Sequence, residues 1–326
     1  MKDLEDQFGR KFPYLRMSIT DICNFRCGYC LPDGYQKTCG DKFLSTQEII
    51  RLIRVFASLG TQKVRLTGGE PALRRDLPSI ASALSCISGI KTIAITTNGY
   101  NLKNKAQEFF DSGISALNVS VDSLSPQKFH SITGHNKLPD VLAGVEAARK
   151  AGFRKIKINT VLLKGINDDD LPEFLGWIKR EELSVRFIEL MQTGDNLEYF
   201  NKHHQSAETI KQKLIDYGFS ASKRAYDAGP AQEFEHPEYK GKIGLIAPYS
   251  KDFCKTCNRL RVTARGDLRL CLFGDSGYSL RPFLVDDRQT EELKNKILEL
   301  LNFKRESHYL GQGITGITPH LASLGG

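Results

Sequence analysis

Six of the eight cysteines in this 326-residue chain fall into two triplets, Cys23-x3-Cys27-x2-Cys30 and Cys254-x2-Cys257-x13-Cys271. Thiolates are ligands for soft metals, and three in one short loop can hold a [4Fe–4S] cluster with one iron left open to another molecule. They can also hold a structural zinc, provided a fourth ligand closes the tetrahedron. Cys39 could close the first set and a remote group such as His236 the second, so spacing alone leaves both metals open. Otherwise Cys39 and Cys86 stand apart and read as inert thiols.

A second kind of chemistry lies in strand-sized runs. Candidate strands are Tyr14–Thr20, Lys63–Thr67, Thr92–Asn98, Ala116–Asp122, Lys155–Val161 and Ser184–Leu190. In the first five, apolar residues alternate with a second set that includes Arg16, Arg65, Thr96, Ser120 and Lys157. Alternate side chains point to opposite faces of a strand. These residues should therefore share one face, which is polar and largely basic. The carboxyl ends of the runs carry the first cysteines, Gly68-Gly69-Glu70-Pro71, Asn98-Gly99, Asp122 and Met191. An open doubly wound sheet gathers its ligand at one switch point. Chemistry at the end of nearly every strand is barrel behaviour.

Helical patterns separate these runs. Ser45-Thr-Gln-Glu48 reads as a capping box, Ser125-Pro126 as a cap followed by an N1 proline, and Asp140 as the opening of a helix that Gly152 closes. Six β–α units in a row predict parallel strands joined by right-handed crossovers. The expected architecture is α/β, an incomplete (β/α)6 TIM-type barrel with a wide mouth. A dry basic lumen would be costly, so a large anionic ligand should fill it. Beyond Met191 the repeat breaks into a helix at Ser206–Tyr217, a β run at Lys242–Ala247, a hairpin (Leu260–Thr263 with Leu268–Leu272) and a polar helix at Asp287–Leu301. This reads as a smaller C-terminal α+β region, with the division at 1–225 and 226–326. Arg259 and Arg261 share strand parity there, so both could grip one polyphosphate.

The run Cys23-Asn-Phe-Arg-Cys-Gly-Tyr-Cys30 resembles the signature of the radical S-adenosylmethionine (SAM) superfamily, and Gly68-Gly69-Glu70-Pro71 resembles its site for the SAM amino group. Within that superfamily the chain is similar to the cyclases that act on GTP in the first step of molybdenum cofactor biosynthesis. The likeness runs from Leu15 to Gly326, through Arg65–Pro71, Thr96–Gly99, Asn118–Leu124, Lys157–Asn159, Arg186–Met191, Phe253–Arg261, Leu268–Phe273 and the terminal Gly325-Gly326. It implies that Cys23, Cys27 and Cys30 hold a catalytic [4Fe–4S] cluster, with Tyr29, Gly69, Ser120 and Met191 around SAM. Cys254, Cys257 and Cys271 would hold a second [4Fe–4S] cluster whose open iron binds guanine. Arg16, Arg65, Thr96, Lys157, Arg259 and Arg261 would contact GTP.

The implied reaction turns GTP into 3′,8-cyclo-7,8-dihydro-GTP, through a 5′-deoxyadenosyl radical that takes the ribose 3′ hydrogen. Implied partners are an electron donor such as flavodoxin and a cyclic pyranopterin monophosphate synthase that takes over the product. The two terminal glycines would thread toward the active site. The chain departs from the pattern at Ile22, where many relatives carry Arg, and at Gln192, where Pro is common.

Composition fits this reading. With 46 Lys+Arg against 38 Asp+Glu the net charge is +8, and 40% of residues are hydrophobic, which excludes wholesale disorder. A nucleic-acid binder would need aromatic–basic stripes or a recognition helix, and neither stands out. No apolar run approaches the ~20 residues of a membrane span. The charged amino terminus lacks a signal-peptide core, so the expected compartment is the cytoplasm. Homodimerisation is compatible with the sequence. A peptide-maturing radical SAM enzyme is the rival, but such enzymes carry more cysteines toward the carboxyl end.

Overall fold

The computed structural model describes residues 4–37, 42–223, 228–318 and 320–324. Its first half repeats one unit. The strands β1 (Tyr14–Ser18), β2 (Lys63–Thr67), β3 (Thr92–Thr97), β4 (Ala116–Ser120), β5 (Ile156–Leu162) and β6 (Ser184–Glu189) pair in parallel, each with its neighbour in sequence. Outward side chains such as Leu15, Met17, Val64, Leu66, Ile95, Leu117 and Ile158 are wholly buried under the covering helices. The helix α1 (Thr46–Ser58) begins with the expected capping box: the Ser45 hydroxyl accepts from the Glu48 amide, and the Glu48 carboxylate accepts from the Ser45 amide. Next come α2 (Leu77–Ser85), α3 (Leu102–Asp111) and α4 (Pro126–Thr133), the last capped by Ser125 and closed by left-handed Gly134.

The helix α5 (Leu138–Lys150) starts earlier than its expected opening at Asp140. Pro139 sits in the first turn, where its missing N–H costs nothing, and Asp140 pairs with Lys137 at 2.9 Å. After α6 (Leu171–Arg180) come α7 (Leu197–His203) and α8 (Glu208–Asp216).

The later strands are β7 (Ser220–Ala221), β8 (Gln232–Glu235), β9 (Lys242–Ile246), β10 (Arg259–Val262), β11 (Asp267–Arg269) and β12 (Tyr278–Ser279), followed by α9 (Thr290–Leu301). They extend the same sheet, whose order is β12-β11-β10-β1-β2-β3-β4-β5-β6-β9-β8-β7. β10 pairs in parallel with β1, and β9 in parallel with β6, so the parallel run has eight members where the sequence suggested six. The order is linear among the described strands, so the barrel stays open. Antiparallel β11–β12 and β8–β7 finish the two edges. The expected division at 225/226 falls outside the described residues. No helix of the described chain is long and apolar enough to cross a membrane.

Candidate active site

Strand register builds a row of like charges. Arg16 on β1 faces Arg65 on β2 on one side and Arg261 on β10 on the other. One step along, Tyr14 stands between Lys63 and Arg259. Like charges directly opposite one another on neighbouring strands are destabilising, and here each of the four arginines is no more than 8% exposed. Burial and then the Arg261 guanidinium drive Arg16 well below the usual guanidinium range. Burial and then Arg259 bring Arg261 down to about 10. Burial, Arg186, Lys63 and Arg65 bring Lys157 down to about 7. The Nε atoms of Arg65, Arg186, Arg259 and Arg261 have no hydrogen-bond partner among the described residues. Of these four, Arg186 alone pairs with a carboxylate among the described residues, Glu233 at 2.9 Å. Such an array is built to receive a polyanion.

The row walls one of two adjoining chambers. One, of about 900 Å³, is walled by Tyr14, Arg16, Arg65, Arg186, Arg259 and Arg261 together with Cys254, Cys257 and Cys271. The other, of about 980 Å³, is walled by Cys23, Cys27 and Cys30 together with Tyr29, Gly69, Thr96, Ser120 and Asp122. Asn159, Ile188 and Met191 line both, so the chambers meet there. Thr96, expected with the arginines, lies in the second chamber. Lys157 lines neither, and is half-buried beside Arg65, Arg186 and Lys63.

The loop carrying the first triplet is tied on three sides. Arg26 and Gly28 donate their amides to Thr133 and Ile132 at the end of α4, and the Asn98 side chain donates to Asn24 at 2.9 Å. The third tie is the glycine pair. A Cβ on Gly68 would lie 2.1 Å from the Thr20 carbonyl, and one on Gly69 2.3 Å from that of Ile22. The close approach that demands glycine is therefore to the cysteine loop's own backbone. Glu70 is buried, accepting from Thr97, Asn98 and Ala72, and burial lifts its carboxyl to about 7. Tyr29 donates to Asp122 at 3.0 Å, and burial lifts Asp122 to about 6.

The sequence reading did not assign roles to Tyr14, Asn159, Arg186 or Asp122, although strand parity already marked Asn159 and Asp122, and the same rule extended to β6 marks Arg186. Cys86 is exposed at the end of α2. Cys39 lies outside the described residues, as do Gly325 and Gly326. The preceding turn, Leu321–Leu324, packs with Leu272, Phe273 and Leu310 against Cys30, Met191 and Cys271, and Leu321 and Ala322 line the second chamber.

The donor sets suit clusters. Burial pushes Cys23 up to about 11 and Cys30 to about 12, with the Cys23 thiolate, Asp195 and Asp122 adding to Cys30, so a cationic group would be needed to make thiolate ligands of them. Among the described residues no three His, Cys, Asp or Glu side chains converge on a point that could hold a single metal ion. Each set of three thiols lines the wall of one chamber.

Two family models divide the chain: Radical SAM superfamily over residues 17–178 and Molybdenum Cofactor Synthesis C over residues 183–310. The GTP 3′,8-cyclase of Psychromonas ingrahamii is 57% identical over 325 residues, covering 100% of this chain and 96% of its own. That of Tolumonas auensis is 55% identical, covering 99% and 96%. Among solved structures, Streptococcus suis SuiB bound to S-adenosylmethionine shares the fold at TM-score 0.63 and 13% identity, over 90% of this chain and 68% of its own. The chain belongs to the GTP 3′,8-cyclase family of the radical SAM superfamily.

Proposed function

We propose that the two chambers form one active site, with SAM in the chamber of the first triplet and GTP in the other. Cys23, Cys27 and Cys30 would hold one [4Fe–4S] cluster, and Cys254, Cys257 and Cys271 a second that receives the guanine base. When bound, the first cluster and SAM supply a 5′-deoxyadenosyl radical that takes the ribose 3′ hydrogen, after which the sugar carbon closes onto guanine C8. The chain's own residues orient and enclose. The Arg261–Arg16–Arg65 row, with Arg259, binds the triphosphate, and each charge-assisted bond there contributes about 1.5–3 kcal/mol. The ribose then lies at the junction of Asn159, Ile188 and Met191, with its 3′ carbon facing the SAM side. Tyr29, Gly69, Ser120 and Met191 frame SAM, and the tail before Gly325 excludes water. The product passes to a cyclic pyranopterin monophosphate synthase, and a small donor such as flavodoxin supplies electrons.

The observation that carries this reading is the in-register arginine row beside one thiol-lined chamber and opening toward another. It is tested by incubating anaerobically reconstituted protein with SAM, GTP and dithionite. The expected outcome is 5′-deoxyadenosine and 3′,8-cyclo-7,8-dihydro-GTP formed together. Deoxyadenosine released at the same rate without GTP, and with no cyclised nucleotide, would overturn the substrate assignment.

A further inference from the structure

Beside the second triplet lies a buried lysine outside both chambers. Lys304 is 3% exposed. Its ammonium donates to the carbonyl of Leu270, the residue before Cys271, and sits 5.2 Å above the ring of Phe12. The charged groups around it are Arg10 and Arg261, which repel it, and the thiols of Cys257 and Cys271, which as thiolates attract it. The Arg10 charge is already answered by Asp6 at 2.7 Å, and its guanidinium also donates to the carbonyls of Cys254, Arg305 and Glu306. No carboxylate among the described residues pairs with Lys304. A buried ammonium needs a nearby anion to be tolerated, and among the described residues the anions that attract it are the thiolates of Cys257 and Cys271.

We propose that Lys304 is the buried counter-charge of whatever the second triplet holds, fixing the Cys271 backbone and raising the reduction potential of the second cluster. This rests on the reading that the triplet binds a [4Fe–4S] cluster. Three thiolates give such a cluster a net negative charge, and reduction adds one more electron to it. A cation at close range stabilises the reduced form more than the oxidised one, with little solvent screening at this depth. Lys304 therefore acts as a positioning residue for the cluster, without touching substrate.

The test is an EPR-monitored redox titration of the anaerobically reconstituted full chain, comparing wild type with Lys304→Met and Lys304→Arg. Lys304→Met should lower the reduced-to-oxidised ratio of the second cluster about tenfold at fixed potential, which is about 59 mV for a one-electron couple. The first cluster should not shift, and Lys304→Arg should restore the second. An unchanged second cluster, or equal shifts in both, would overturn the proposal. Should Lys304→Met fail to assemble the second cluster, assembly by Lys304→Arg upholds the charge role and failure by both variants overturns it. A wild type with no second iron–sulfur signal would instead refute the cluster reading itself.

Discussion

Arg16, Arg65 and Arg261 each break a local rule: a charge out of water, facing another of its own sign. The +8 excess is in part internal, because Arg16, Arg65, Arg186, Arg259 and Arg261 all lie inside. Lys157 gives this arrangement a pH signature. Its folded pKa is about 7 against 10.5 for a free side chain, with burial first and then Arg186, Lys63 and Arg65 as the causes. Between these values the unfolded chain holds a proton that the folded one lacks, so the group's contribution to stability rises as pH climbs from about 7 and is lost as pH falls back through it. A triphosphate restores the charge. GTP binding at pH 8 should therefore take up a proton, and affinity should weaken as pH rises above about 7. Calorimetry in two buffers of different ionisation enthalpy measures the uptake, and Lys157→Met should reduce it. Equal uptake in both proteins would remove Lys157 from the site.

Elements make the residue chemistry simultaneous. The ends of β2 and β3 and the cysteine loop after β1 are held together through Gly68, Gly69, Glu70 and Asn98, with bonds of 2.6–2.9 Å from Glu70 to the β3 end and from Asn98 to Asn24. Gly69→Ala would push a methyl group to 2.3 Å from the Ile22 carbonyl, so the loop must move. Because that loop lines the chamber of the first triplet and not the other, Gly69→Ala should abolish SAM cleavage while GTP affinity stays within about threefold, a change of less than one neutral hydrogen bond. Parallel measurement of deoxyadenosine release and GTP binding checks this, and loss of both would mean that the chambers are not separable. The capping box of α1, the proline start of α4 and the positions of β1 to β6 to within two residues were readable because they depend on neighbours within four residues. Other starts moved: α5 begins before Asp140, with Pro139 in its first turn, α8 begins at Glu208 rather than Ser206, and α9 at Thr290, after a 3-10 turn at Asp287–Gln289.

At the scale of the molecule, the carboxyl-terminal third lies on both flanks of the six-strand core. β10 brings Arg259, Arg261 and the second triplet beside β1, and the tail returns to wedge Leu321 and Ala322 against the first triplet. With the described chain already at the chamber wall, an extension after Gly326 should lower cyclisation severalfold and leave melting temperature and iron content unchanged. The comparison is turnover by carboxyl- and amino-terminally tagged proteins, and equal rates would deny the tail a role.

The sequence alone determined what local rules govern. Period-two alternation set which side chains share the polar face, cysteine spacing set which loops gather thiols, and turn chemistry set where α1 and α4 start. It could not set what meets across the chain. That Arg261 stands in register with Arg16, that eight strands rather than six run parallel, and that Lys304 lies beside Cys271 depend on pairings separated by 34 to more than 240 residues. Such pairings are chosen by sheet register and packing of the whole core, which no window of sequence contains.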